Sequence, residues 1–139
     1  MKRILVGVDG SDTSKQALRW AVDNAGEAEV VALHVYDVPL PVPDAAPGHP
    51  VNFAEIVTET HEGAVRFVTS IVDEVVGDQR SVRAEAIEGH PVEVLLEAAA
   101  DADLLVLGSH GAGRAEFLIG SVSQECVQQA AGPVLIYRS

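Results

Sequence analysis

The sequence predicts an α/β protein in which a parallel β-sheet is covered by helices on both faces. Five short apolar segments alternate with four helical patterns along the 139 residues. The apolar segments are rich in leucine and β-branched residues and show little polar alternation, which is typical of strands buried on both faces. Such alternation implies right-handed crossovers between parallel strands. We expect a single domain over residues 1–139.

The predicted strands are short, as expected for a sheet that helices enclose. In chain order they are Ile4–Val8, Val30–Val35, Val82–Ile87, Leu104–Leu107 and Val134–Tyr137.

Four amphipathic patterns predict the helices. They extend over Thr13–Ala25, Val51–Val76, Pro91–Ala100 and Ser121–Ala131. Thr13 with Gln16, and Ser121 with Gln124, have the spacing of a capping box, and Pro91 suits a first helical position.

Composition and charge exclude several classes of function. The formal net charge is −12 and no basic cluster is present, so we expect neither nucleic-acid nor membrane-surface binding. No run of 18 apolar residues predicts a membrane span. The lone Cys126 excludes an intramolecular disulfide and a cysteine zinc cluster, the histidines lack metal-ligand spacing, and no signal peptide is recognisable. We therefore expect a cytoplasmic protein without a metal site.

A proline-rich segment follows the second predicted strand. Val38–Pro50 contains five of the seven prolines, each of which fixes φ and removes a backbone donor. Two interpretations are open, a simple surface connector and a lid over the strand ends.

Two loops are expected to meet at the carboxyl ends of the strands, where open parallel sheets bind ligands. One follows the first strand and covers Gly7–Thr13. The other follows the fourth strand, covers Gly108–Arg114 and continues to Gly120–Ser123. Its glycines permit close backbone approach, and the N–H groups that open the fourth helix suit a phosphate. The alternative is an ordinary strand–helix loop with a serine cap.

The side chains at the strand ends suit the neutral part of a nucleotide. Asp9 could accept hydrogen bonds from an adenine amino group or a ribose hydroxyl, or it could brace its own turn. Val8, Val35 and Leu107 could form apolar walls for a base, or they could be plain core residues. His110 and Arg114 are the cationic candidates, with solvent exposure as the alternative.

Common nucleotide and catalytic motifs are absent from the sequence. The glycine loop has no Gly-Lys-Ser/Thr and does not follow the first strand as a dinucleotide fingerprint does. No Gly-x-Ser-x-Gly elbow is present, and the sequence assigns no base to Ser109 or Ser121. We therefore predict no catalytic residue, although a fold of this class does not itself exclude an enzyme.

Several motifs together resemble the universal stress protein family. They are Val6–Ser11, Glu88–Pro91, Ala102–Gly111 and Gly120–Ser123, and the resemblance covers essentially the whole chain. It implies a Rossmann-like, five-stranded parallel sheet of order 3-2-1-4-5. It also implies a homodimer paired through the last strand, Val134–Tyr137, whose apolar edge favours pairing.

The ATP-binding branch of that family implies a set of site residues. Its pattern is Gly, two residues, Gly, nine residues, Gly, then Ser or Thr, and Asp9 and Val35 match its adenine-side positions. The implied cofactor-binding residues are Gly7, Val8, Asp9, Val35, Leu107, Gly108, Gly111, Gly120, Ser121, Val122 and Ser123. Phosphorylation of Ser121 or Ser123 is a further family-level implication.

This sequence departs from the pattern at one point, because eight residues rather than nine separate Gly111 from Gly120. We expect ATP as its Mg²⁺ complex, since a bound cation offsets repulsion between the nucleotide and an acidic protein. The resulting hypothesis is a nucleotide-sensing stress regulator with at most slow ATP hydrolysis. The alternative is an interaction protein of the same fold that binds no nucleotide.

Overall fold

The sheet and helices are seen in a computed structural model that describes residues 1–38, 53–110 and 120–138. The strands are β1 (Arg3–Gly7), β2 (Glu29–Tyr36), β3 (Arg83–Glu88), β4 (Leu104–Gly108) and β5 (Val134–Tyr137). The helices are α1 (Asp12–Asn24), α2 (Phe53–Val75), α3 (Pro91–Ala99) and α4 (Ser121–Gln129). Every predicted element is present, with ends that differ by at most two residues. Of the proline-rich segment only Val38 is described, so its connector and lid interpretations fall outside the described residues.

The five strands form one parallel sheet of order β3-β2-β1-β4-β5, as the sequence resemblance implies. The fold class is therefore confirmed. Because all strands are parallel, their carboxyl ends lie along one edge of the sheet. The strand order reverses between β1, which begins the chain, and β4, and this switch point is where the loops after β1 and β4 meet.

Each face of the sheet has its own apolar core. Buried residues of α1 and α2 pack on one face, around fully buried side chains such as Leu18 and Val68. Residues of α3 and α4 pack on the other face, around Leu95 and Cys126. Cys126 is buried as a small apolar residue, as expected, and burial raises the pKa of its thiol.

Both predicted capping boxes are wrong. Helix α1 is capped by Ser11, whose hydroxyl accepts from the Ser14 N–H at 3.2 Å. The helix begins at Asp12, one residue earlier than predicted, and Ser11 before it has the extended conformation that an N-cap requires. Helix α4 is capped by Gly120, which has no side chain to accept a bond, and Ser121 becomes the first helical residue.

Among the described residues, no helix combines the length and the apolar character needed to cross a membrane.

Candidate functional site

A cleft of about 340 Å³ lies at the carboxyl edge of the sheet, within the size range of small-molecule sites. Ten of the eleven predicted site residues line it, namely Gly7, Val8, Asp9, Val35, Leu107, Gly108, Gly120, Ser121, Val122 and Ser123. Gly111 lies outside the described residues. His110, which the sequence offered as a cationic candidate, lines it too, and five further lining residues were not among the site residues, namely Ser11, Ser14, Leu33, Pro91 and Leu95.

Asp9 lines the cleft from the tight turn between β1 and α1. Its Oδ1 accepts from both the backbone N–H of Ser11, at 2.9 Å, and the Ser11 hydroxyl. Asp9 therefore stabilises its own turn, which is one of the two roles that the sequence predicts for it. Both bonds go to Oδ1, and the side chain is exposed, so Oδ2 is the oxygen that a ligand would meet.

Two buried serines complete this turn. The Ser14 hydroxyl donates to the carbonyl of Ser11 at 2.9 Å and accepts from the Asp9 N–H at 3.3 Å. Sequence reasoning missed Ser11 and Ser14 because it placed the helix start at Thr13. A serine three residues before another serine at a strand-to-helix turn was the signal that could have found them.

The walls of the cleft are apolar. Val8, Leu33, Leu95 and Leu107 are buried core residues that also face the cavity, while Val35 is half-buried. The same side chains thus belong to the core and also form the wall of the cleft, so these two predicted roles do not exclude each other. An apolar pocket with polar groups at its ends is the usual form of a site for a flat organic ring.

The N-terminus of α4 also lines the cleft. The carbonyl of Gly120 accepts from the Gln124 N–H at 2.9 Å and starts the helix. The N–H groups of Ser121, Val122 and Ser123 precede the first possible intrahelical bond, so they are available to an anion together with the positive end of the helix dipole.

The two serine hydroxyls of α4 differ in what they can donate. Ser121 is exposed and does not cap its helix, so its hydroxyl is available to a ligand. Ser123 is buried, and its hydroxyl donates to the carbonyl of Gly108 at 2.7 Å. Because a hydroxyl carries one proton, the Ser123 side chain has no donor left for a ligand in this arrangement, whereas its backbone N–H does.

Gly108 is required by packing rather than by a left-handed turn. Its φ is not positive, and a Cβ there would lie 2.8 Å from the carbonyl carbon of Thr13 and 2.9 Å from the nitrogen of Ser14. The first turn of α1 therefore rests directly on the end of β4. This close approach brings the β1–α1 turn and the β4 loop to the same cleft.

His110 lines the cleft and is held from two sides. Its backbone carbonyl accepts from the Thr13 hydroxyl, and its Nδ1 lies 3.0 Å from the hydroxyl of Ser109. Sequence reasoning assigned no base to Ser109, yet the structure pairs it with this imidazole. Ser109 is buried and does not line the cleft, so its hydroxyl orients His110 and does not face a ligand.

The charges of the cleft are sparse. Among the described lining residues, Asp9 and His110 carry the only titratable side chains, and no lysine or arginine is present. Arg114, the other predicted cation, lies outside the described residues.

His34 and His61, which do not line the cleft, have structural partners. The Nδ1 of His34 donates to the carbonyl of Val8 at 2.9 Å, and its ring packs on Phe67. His61 bonds the hydroxyl of Tyr36 at 2.7 Å, and burial raises the pKa of that tyrosine. No group of three or more metal-ligating side chains occurs among the residues that the structure describes.

Comparison with known proteins places the chain in a family. A sequence profile of the Universal stress protein family matches residues 1–138. A universal stress protein of Methanocaldococcus jannaschii is 33% identical over 142 residues, which cover 99% of this chain and 82% of that protein. One of Mycobacterium tuberculosis is 33% identical over 145 residues, which cover 98% of this chain and 48% of that protein. This chain thus spans about half the length of the mycobacterial relative.

A solved structure shares both the fold and part of the sequence. It is a universal stress protein in complex with cAMP, 26% identical, with a TM-score of 0.68 over 97% of this chain and 95% of that one. The family match over almost the whole chain agrees with the strand order and with the motifs at the strand ends. The chain therefore belongs to the universal stress protein family.

Proposed function

We propose that this chain binds an adenine nucleotide in the cleft and acts as a nucleotide-sensing regulator in the stress response. The observation that carries the proposal is the composition of the cleft, whose lining combines apolar walls with the Asp9 carboxylate and the free N-terminus of α4. The cAMP bound by a solved relative is a ligand of the same chemical class.

The carboxylate of Asp9 and the helix N-terminus differ in charge, and this difference favours one orientation for the nucleotide. An adenine amino group or a ribose hydroxyl donates to Asp9, while the phosphates accept from the N–H groups that open α4. The reverse orientation would place phosphate against a carboxylate. The base then lies between Val35 and Leu107, where its faces replace water against apolar side chains.

The charge of the protein favours ATP as its Mg²⁺ complex. The chain carries −12, and no lysine or arginine is among the described residues that line the cleft. Ser121 and Ser123 offer hydroxyl oxygens at the phosphate end, and the described residues provide no carboxylate cage. Mg²⁺ is therefore carried mainly by the phosphates, whose charge it neutralises.

Regulation, rather than rapid catalysis, suits this set of residues. The described cleft presents no nucleophile with an adjacent base and no arginine that could stabilise a transferring phosphoryl group. Bound nucleotide would instead bias one conformation of the domain, which a partner protein in the cytoplasm could recognise. We propose that residues 1–139 act as one such sensing domain.

Ligand-dependent melting tests the proposal. The melting temperature is measured with MgATP, AMP, cAMP and, as a control for the base, GTP. A ligand at a hundred times its Kd adds about 2.7 kcal/mol to stability, which is a shift of several degrees at this size. We expect saturable shifts with the adenine nucleotides and a smaller one with GTP.

Two variants of one helix locate the site. Val122→Trp fills the cleft from α4 and should abolish the shift, whereas Val127→Trp alters an exposed position of the same helix, outside the cleft, and should retain it. Circular dichroism establishes that both variants fold. Folded, nucleotide-free protein that shows no shift with millimolar adenine nucleotide would contradict the proposal and favour the interaction protein without a nucleotide.

A further inference from the structure

His110 occupies a distinctive position in the cleft. Apart from Asp9, it is the only titratable side chain among the described residues that line the cleft, and its neighbour Ser109 accepts a hydrogen bond from Gly120, the N-cap of α4. We propose that His110 contacts the phosphate and that its protonation sets the affinity of the site, so that nucleotide binding tightens as pH falls. This inference rests on the proposed function.

The imidazole is oriented from behind by a fixed hydroxyl. Ser109 is buried, its N–H donates to the carbonyl of Tyr137 at 2.8 Å, and its carbonyl accepts from the Gly120 N–H at 2.5 Å. Its hydroxyl, 3.0 Å from Nδ1 of His110, therefore has a defined place. With Nδ1 engaged there and the residue lining the cleft, Nε2 is the ring nitrogen left for a ligand.

The serine partner accommodates both charge states of the ring. When neutral His110 carries its proton on Nε2, the Ser109 hydroxyl donates to Nδ1 and the Nε2–H can be donated to a phosphate oxygen. When the ring is protonated, Nδ1–H donates and the hydroxyl rotates to accept. The bond to Ser109 survives in each state, and protonation adds a positive charge without breaking a contact.

Among the described residues that line the cleft, His110 is the only side chain that can carry a positive charge toward a bound anion. The β1–α1 turn contributes the Asp9 carboxylate to the same cleft, and α1 begins with the exposed Asp12 beside Thr13. Helix α4 has no acidic residue in its first turn. From β5, the described chain brings Tyr137 behind Ser109, followed by the exposed Arg138. No described lysine or arginine lines the cleft.

The test needs a ligand whose own charge stays constant. A phosphate monoester takes up a proton near pH 6, which would mask the effect, whereas the phosphodiester of cAMP keeps one negative charge throughout. Calorimetric titrations of the whole chain with cAMP and with adenosine, at about pH 5.5 and about pH 8, bracket the ordinary titration range of histidine. Adenosine lacks the phosphate and reports every other effect of pH.

We expect cAMP to bind roughly fivefold to tenfold more tightly at the lower pH, the size expected of one added charge a few ångströms from the phosphate in a partly solvated site. Adenosine affinity should change little. His110→Gln keeps a polar side chain but cannot titrate, so its cAMP affinity should match the wild type at high pH and stay flat. His61→Gln, a histidine outside the cleft, should retain the full dependence.

The outcomes separate this inference from the proposed function. If wild-type protein binds cAMP equally at both pH values, or if folded His110→Gln keeps the dependence, His110 does not set the affinity although the nucleotide site stands. If neither cAMP nor adenosine binds at any pH, this inference fails, whereas the melting experiment with MgATP and AMP decides the proposed function separately. A dependence that His110→Gln removes and His61→Gln keeps supports the proposal.

Discussion

At the scale of single residues, Gly10 shows why the turn between β1 and α1 needs a glycine. Its φ is +86°, a left-handed conformation that L side chains rarely adopt. A Cβ there would also lie 2.7 Å from Cζ of Phe67, an aromatic residue of α2 that covers the turn. A side chain at position 10 would therefore incur two separate costs, backbone strain and steric overlap. A glycine avoids both and keeps the turn that places Asp9 at the cleft.

Substituting this glycine should destabilise the protein by the sum of those costs. For Gly10→Ala we expect a loss of about 2–4 kcal/mol in the free energy of unfolding, with roughly 1–2 kcal/mol from the left-handed backbone and the rest from overlap with Phe67. Urea unfolding monitored by circular dichroism measures it.

A matched glycine separates the two costs. Gly26 also has a positive φ, +59°, but nothing lies within 4 Å of the position a Cβ would take. Gly26→Ala should therefore show the backbone cost alone. In a Phe67→Ala background, Gly10→Ala should approach the same value. Equal costs for the two glycines in the wild-type background would show that Phe67 yields without penalty.

At the scale of secondary-structure elements, most of the fold could be predicted because each strand is a short apolar run and each helix has an apolar stripe. The site followed from topology, since parallel strands deliver β1 and β4 loops to one edge. Caps could not be predicted in the same way. Ser11 caps α1 and Gly120 caps α4 because of where the chain turns, and the local spacing of Thr13 or Ser121 does not reveal that turn.

The contacts made by His110 could not be predicted from the sequence for a related reason. Its imidazole meets Ser109, its neighbour in sequence, and its carbonyl meets Thr13, which is 97 positions away. The first contact depends on side-chain rotamers and the second on how α1 packs over Gly108. Neither leaves a periodic signal in the sequence.

Asp103 connects the starts of β1 and β4 through hydrogen bonds. Its charge predicts that part of the free energy of unfolding is lost at acidic pH. Its Oδ2 accepts from the backbone N–H groups of Lys2, at 2.7 Å, and Arg3, at 3.0 Å. These bonds favour the charged form and hold the pKa of Asp103 below its usual value. The stabilisation is therefore complete above the ordinary aspartate pKa of about 3.9 and is lost as pH falls through the lower folded value.

Melting curves of Asp103→Asn against pH check this sign. The variant should melt below the wild type near neutral pH, and the gap should narrow as pH falls below about 4, where the wild-type carboxyl takes up its proton. Asp101→Asn removes an exposed carboxylate two residues away and should not reproduce that pattern. A gap that stays constant down to about pH 2 would mean that the hydrogen bonds, and not the charge, carry the effect.

At the scale of the whole molecule, the two edges of the sheet differ in chemistry. The β3 edge carries charged side chains, including an Arg83–Glu85 ion pair at 2.8 Å, and such charges discourage strand pairing. The β5 edge, Val134–Tyr137, is wholly apolar in sequence and half-buried. A second copy of the chain is therefore expected to pair at β5 and not at β3.

The hydrogen-bond pattern of β5 identifies which backbone groups remain for a partner. The carbonyl of Pro133 accepts from Leu105 of β4, and the carbonyl of Tyr137 accepts from Ser109, which directly follows β4. In a parallel strand, successive residues direct their backbone groups to opposite sides, so Val134 and Ile136 present theirs at the open edge. These are the groups that a homodimer would use.

Proline at position 136 tests the homodimer at that edge. Ile136→Pro removes an outward N–H and leaves the bonds to β4, so we predict a monomer that keeps its fold. Ile136→Ala retains the N–H and should remain a dimer, which separates main-chain pairing from loss of the side chain. Light scattering at micromolar concentration gives the mass of each. A monomer mass for the wild type would contradict dimerisation, and a dimeric, folded Ile136→Pro would move the interface away from the β5 edge.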